Sequence, residues 1–203
     1  MKLRLLEIQD FRNIERASLE PSPGATVLWG PNGQGKTNLL EAVYLLFTLK
    51  PLRAARLAEL VRFGAGRALV SAAVEGPGGE RRLSVEVASG GREAFLDGKP
   101  VDRPETFLEG LAAVCFTPDD LLLVKGGPLL RRRFLDRAAF NRWPAVLGEA
   151  RDYLRALRER NAALRGASPE VEESFRGPLA RAGARLLRRR QALVAELAPR
   201  LAE

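Results

Sequence analysis

Residues 30–37 read Gly-Pro-Asn-Gly-Gln-Gly-Lys-Thr, the pattern G-x-x-x-x-G-K-[ST]. Nothing else in the chain limits its fold as sharply, because this pattern is expected where a strand passes into a helix. Glycines let the backbone turn tightly, so that successive N–H groups converge on an anion. The positive end of the following helix strengthens that field. The flanks agree. Ala25–Trp29 is a short apolar run suited to a strand buried on both faces. From Lys36 to Leu49 the residues Leu39, Leu40, Val43, Leu46 and Phe47 recur at helical spacing. At this chain's residue frequencies the pattern would arise by accident with a chance of roughly 0.3%. The residue types therefore imply a nucleotide-phosphate site. Lys36 is expected to reach the β- and γ-phosphates, and the Thr37 hydroxyl to ligate Mg²⁺.

Around this loop the first half reads as β structure. Leu3–Ile8 and Ile14–Leu19 are strand-like and are joined by the turn-like Asp10-Phe11-Arg12-Asn13. Ala68–Val74 and Arg81–Val87 flank Gly76-Pro77-Gly78-Gly79. Ser89-Gly90-Gly91-Arg92 and Asp97-Gly98 mark further tight turns. The expectation is an antiparallel meander laid on a parallel element around Trp29, with Leu111–Phe116 as another buried strand. After Thr117 the pattern turns helical. Helices are expected over Pro128–Arg142, Pro144–Arg165 and Pro169–Leu201, the last capped by Ser168 and kinked at Gly177-Pro178. An α/β lobe over residues 1–116 and a helical lobe over 117–203 follow from this reading.

Composition narrows the chemistry. The chain has no His and a single Cys, so Ser–His and Cys–His catalytic pairs and thiolate metal clusters are excluded. No apolar stretch approaches the ~20 residues of a membrane span. The N-terminus lacks an apolar signal core. A cytoplasmic protein without membrane contact is expected. The net charge is +8, and residues 151–203 contribute +5 of it, nearly all basic residues being Arg. That fits an acidic partner such as nucleic acid, but on charge alone a solvated helix face is the preferred reading.

Four segments, in order, extend the reading: LRLLEIQDFRNIERASLE, WGPNGQGKTNLLEAVYLL, FTPDDLLLVKGGPLLRRRFLD and YLRALRERNAALR. Together they resemble the RecF family of bacterial recombination-mediator ATPases, across essentially the whole chain. The resemblance implies an α/β fold: an ABC-type P-loop ATPase head, with a mixed sheet and antiparallel meander, followed by a helical arm lobe. It implies ATP and Mg²⁺ as cofactors and an ATP-dependent homodimer. It also implies binding to single-stranded or gapped DNA, RecR- and RecO-type partners, and a role in recombinational repair, replication and SOS induction. It assigns Gly30, Pro31, Asn32, Gly33, Gln34, Gly35, Lys36 and Thr37 to the phosphates, with Asn38 just beyond. Arg12 and Asn13 match a Phe-Arg-Asn motif whose polar groups approach the nucleotide, though a plain strand–strand turn would look alike.

Other residues are ambiguous. Arg53 stands where the family carries a Ser-Phe-Arg-like segment, but its neighbours depart from that pattern, and a surface Arg is as good a reading. Arg131, Arg132 and Arg133 either meet an anion or pair with Asp136 by the i, i+4 rule, the second being preferred. Asp119 and Asp120 fit a helix cap better than a metal pair. ABC-type hydrolysis also needs a strand ending in paired acids and a Ser-Gly-Gly-like signature, and neither occurs in these residues. The expectation is a chain, either a fragment or a degenerate copy relative to the family, that binds ATP without useful turnover. A non-catalytic interaction module is the first alternative. A small P-loop phosphotransferase fits less well, because the antiparallel meander is not a repeating βα unit.

Overall fold

Alternating apolar residues at Leu6 and Ile8 set the inward face of β1 (Lys2–Phe11). It pairs with β2 (Ile14–Leu19) in a hairpin that places Phe11 opposite Ile14, with Arg12 and Asn13 between them. In this computed structural model, residues 1–53, 56–76, 78–165 and 169–201 are described. β3 (Arg67–Gly76), β4 (Gly79–Ala88), β5 (Gly91–Leu96) and β6 (Lys99–Pro100) complete a sheet of order β2-β1-β3-β4-β5-β6. Register stacks Ile8–Val70–Val85 and Leu6–Ala72–Leu83 in rows across three strands, and all six side chains are buried. Such cross-strand apolar pairs are the unit of sheet stability.

Helix α1 (Lys36–Thr48) packs on β1, β3 and β4 and buries Ala42, Leu45 and Leu46. It ends at Leu49, which adopts left-handed backbone at φ 52°. A 3-10 turn at Leu57–Leu60 and the short helix α2 (Pro104–Phe107) add Leu60, Phe107 and Leu108 to the buried set. Full burial of such a side chain contributes about 1.5–3 kcal/mol.

The chain divides into two compact units, residues 1–115 and 116–203. In the second, a 3-10 turn at Pro118–Leu121 leads into α3 (Leu122–Lys125), α4 (Pro128–Arg142), α5 (Val146–Ala163) and α6 (Pro169–Leu201). Ala139, Val146, Leu186 and Leu193 form its core, with Leu135, Trp143, Tyr153 and Leu197 against them. The guanidiniums of Arg142 and Arg189 each lie 5.6 Å from the Trp143 ring centroid. α6 runs unbroken through Pro178. Ser168, read as its cap, lies outside the described residues, as does Pro77 of the expected β3–β4 turn. No described helix is long and apolar enough to cross a membrane.

Three expectations need correction. Ala25–Trp29 forms no strand, and Val27 and Trp29 are 79% and 89% exposed. Leu111–Phe116 forms none either, with Val114 96% exposed. The described sheet is accordingly antiparallel throughout, without the parallel element that would have made it mixed. A buried strand needs ladder partners for its N–H and C=O groups, and no described strand supplies them here. Finally, Asp136 pairs with Arg190 of α6 rather than with the Arg131–Arg133 cluster. Arg190 Nε donates to Oδ1 at 2.7 Å and Nη2 to Oδ2 at 2.9 Å. The two-point match of guanidinium to carboxylate between packed helices outweighs a flexible contact along one helix. Arg131 instead donates to the carbonyls of Leu123 and Gly126.

Candidate nucleotide-binding site

The phosphate loop keeps its shape through glycine. Gly33 and Gly35 have φ of 83° and 100°, values that side-chain-bearing residues rarely adopt. Gly35 is the residue on which α1 begins, and Leu39 N–H donates to its carbonyl at 2.9 Å. The amides of the first turn have no partner within the helix and are available to an anion. Lys36 Nζ donates to the carbonyls of Gly30 and Pro31 at 2.7 and 2.6 Å. One of its three N–H donors is thereby left for a phosphate. Asn32, Gly33, Gly35, Lys36, Thr37, Asn38 and Arg53 line a cavity of about 290 Å³. Gly30, Pro31 and Gln34 complete the loop and are exposed, as is Thr37.

A second cavity of about 530 Å³ is lined by Arg12, Asn13, Asn38, Arg53, Glu59 and Val61. Asn38 and Arg53 line both. The β1–β2 turn forms one wall, because β1 is fastened there to the end of the 3-10 turn and the residues that follow it. Arg12 N–H donates to Leu60 O at 2.7 Å, Arg62 N–H to Asp10 O at 2.8 Å, and Arg62 Nε to Asp10 Oδ1 at 2.7 Å.

Arg12 and Asn13 both border the cavities but spend their polar groups on the protein. Arg12 Nε and Nη2 donate to the two Glu41 carboxylate oxygens at 2.9 and 3.3 Å, and Nη1 donates to Glu59 O at 2.9 Å. Two of the five guanidinium N–H donors remain for a ligand. Asn13 Nδ2 donates to Gly33 O at 2.8 Å, and Asn13 Oδ1 accepts from Asn38 Nδ2 at 2.7 Å. Arg53 is exposed but not idle: Nη2 donates to Asn38 Oδ1 at 3.3 Å and its N–H donates to Glu41 Oε1 at 3.1 Å.

Glu41 is the residue beside the site that sequence reasoning missed. Its only signal was that it interrupts the apolar run from Leu39 to Leu49. Its side chain is fully buried. Burial alone would raise its pKa, but the hydrogen bonds from Arg12 and the Arg53 amide, with the positive charges of both residues, outweigh that. The carboxyl titrates below its ordinary 4.5. Asp120, by contrast, is a cap: its Oδ2 accepts from Thr117 N–H and Oγ1 at 2.7 and 2.9 Å. The side chain of Asp119 lies outside the described residues.

A glycine cradle opening onto a helix, beside a hairpin turn that buttresses it, defines a P-loop protein with an antiparallel meander. Residues 2–116 match the family described as RecF/RecN/SMC N terminal domain, and the chain belongs to that family. Beyond the matched residues the likeness continues into the helical unit. The chain is 72% identical over 201 residues to the DNA replication and repair protein RecF of Anaeromyxobacter sp. (strain Fw109-5), covering 99% of this chain and 54% of that protein. It is 54% identical to RecF of Myxococcus xanthus (strain DK1622), covering 98% and 53%. Two solved structures, of the recombination mediator protein RecF-ATPrS and RecF-ATP in the RecFOR pathway, superpose with TM-scores of 0.90 and 0.89. They are 27% and 28% identical, covering 97% and 96% of this chain and 55% and 54% of those chains. The chain thus spans about half the length of the curated relatives it matches, and its α/β architecture is that of a RecF-type ATPase head with helices following.

Proposed function

We propose that this chain is the nucleotide- and DNA-responsive part of a RecF-type DNA replication and repair protein. The observation that carries the reading is the phosphate loop itself. Glycines hold Gly30–Thr37 open around a cavity into which the Lys36 ammonium and the first amides of α1 can direct positive charge. ATP is the proposed ligand, as in the RecF-ATP structure to which the chain is similar. The loop would take its phosphates, Asn38 would lie beside them, and Arg12 and Asn13 would border the nucleotide. Mg²⁺, with the Thr37 hydroxyl as its protein ligand, would neutralise phosphate charge. Nucleotide would favour a homodimer acting with RecR- and RecO-type mediators on single-stranded or gapped DNA, in recombinational repair and SOS induction.

DNA contact would run mainly to phosphates, through Arg side chains of the helical unit such as Arg132, Arg133, Arg155 and Arg188. Three further guanidiniums of α6, those of Arg185, Arg189 and Arg190, are partly committed, to Asp152, Glu149 and Asp136. Calorimetric titration with Mg-ATP tests the reading: heat of binding is expected, and Lys36→Ala should abolish it. DNA affinity should fall steeply between about 50 and 200 mM salt. A folded sample that takes up no nucleotide would refute the assignment.

A further inference from the structure

Glu41 presents a problem that the nucleotide reading leaves unsolved. It is a fully buried carboxylate on α1, five residues after Lys36. A buried charge is costly to desolvate, and a well-packed apolar side chain would commonly serve the fold as well. Among the described residues, the partners of Glu41 all belong to the walls of the two cavities: Arg12 Nε, Arg12 Nη2 and the Arg53 N–H.

Followed outward, these contacts close into a ring. Glu41 holds Arg12. Arg12 sits at φ 57°, a conformation that a non-glycine residue keeps only when its surroundings impose it. The next residue, Asn13, donates to Gly33 O, and its Oδ1 lies 2.9 Å from where a Cβ on Gly35 would stand. Asn13 accepts from Asn38, Asn38 accepts from Arg53, and the Arg53 amide returns to Glu41.

We propose that Glu41 is a positioning residue for the phosphate loop: through Arg12 it fixes the β1–β2 turn, and through that turn it seats Asn13 against Gly33 and Gly35. The loop amides are then ordered before a ligand arrives, which spares the ligand that ordering cost. The proposal deepens the nucleotide reading, but half of its test is independent of nucleotide.

Amide hydrogen exchange of the whole chain without nucleotide is the first measurement. In Glu41→Gln, exchange across residues 30–37 should quicken roughly tenfold, the scale of one charge-assisted hydrogen bond, while β3 and β4 keep their rates. Asn13→Ala, at an exposed position, should open the loop likewise. In the second measurement Mg-ATP should bind about tenfold more weakly to either variant. In the exchange measurement, adding Arg12→Gln to Glu41→Gln should quicken the loop no further. Unchanged loop exchange in folded Glu41→Gln overturns the proposal. So does quickening spread evenly over β3 and β4, or an unaffected loop in Asn13→Ala, which decides the matter even if Glu41→Gln unfolds. Absence of ATP binding in the unaltered chain would refute the nucleotide reading, and the exchange data would still judge the role of Glu41.

Discussion

Replacing Gly35 by alanine isolates the contact between the β1–β2 turn and the phosphate loop. Gly35 sits at φ 100°, ψ 3°. An added Cβ would stand 2.9 Å from Asn13 Oδ1 and 3.3 Å from Ile14 Cγ1. Two costs follow. Left-handed backbone costs an L-residue about 1–2 kcal/mol. The collision with Asn13 breaks its hydrogen bonds with Gly33 O and Asn38 Nδ2, each contributing about 0.5–1.5 kcal/mol. Gly35→Ala should therefore destabilise the first unit by about 2–5 kcal/mol. Gly33→Ala is the control. Its φ of 83° is equally unfavourable, but no atom lies within 4 Å of the new Cβ, so only the backbone cost of about 1–2 kcal/mol applies. In urea unfolding, with a slope of about 1–3 kcal/mol per molar, the two midpoints should differ by about 1 M. Asn13→Ala removes most of the obstacle, so in that background Gly35→Ala should cost little more than Gly33→Ala. Equal midpoints for the two glycine variants in the native background would refute the buttress.

Acid should unfold the first unit partly through Glu41. Its folded-state pKa lies below 4.5, so its stabilising effect is present above that value and is lost as pH falls through the lowered one. Glu41→Gln should flatten the pH dependence of the melting temperature below about pH 4.5, and an unaltered slope would exclude that contribution. In the second unit Leu193→Ala, at a core position 4% exposed, should cost about 2–5 kcal/mol by denaturant titration. A loss under 1 kcal/mol would mean that α6 does not depend on this cluster. Because these residues contain neither the paired-acid strand end nor the Ser-Gly-Gly-like signature, phosphate release from Mg-ATP should fall far below that of a full-length RecF relative; comparable rates would refute this. The exposed Val27 and Trp29 should drive association, so Val27→Thr with Trp29→Ser should raise the concentration at which light scattering detects aggregates, without lowering the melting temperature.

Much of the fold was legible because local chemistry and tertiary outcome coincide. The helix opening at Lys36, the bounds of α4 at Pro128–Arg142 and the Asp97-Gly98 turn depend on periodicity, on proline at a helix start and on glycine beyond φ 0, all properties of neighbouring residues. The partner of Asp136 was not legible, since four residues along one helix look the same whether or not a second helix brings Arg190 to 2.7 Å. Glu41 was hidden for a related reason. An acid within an apolar helix face is a defect until Arg12 and the Arg53 amide, distant in sequence, arrive to hold it.

Ala25–Trp29 and Leu111–Phe116 show where hydropathy and secondary structure part. An apolar run states that a segment gains by leaving water; it does not supply the N–H and C=O groups that make it a strand. Val27, Trp29, Val114 and Phe116 carry the first property, at 77–96% exposure, without the second. The phosphate loop directly follows one of these segments, yet its glycines, Lys36 and the Asn13 buttress are set from the other side, by α1 and the β1–β2 turn. In this structure the loop holds its shape although Ala25–Trp29 forms no strand, and its capacity for phosphate can be tested on this chain by itself.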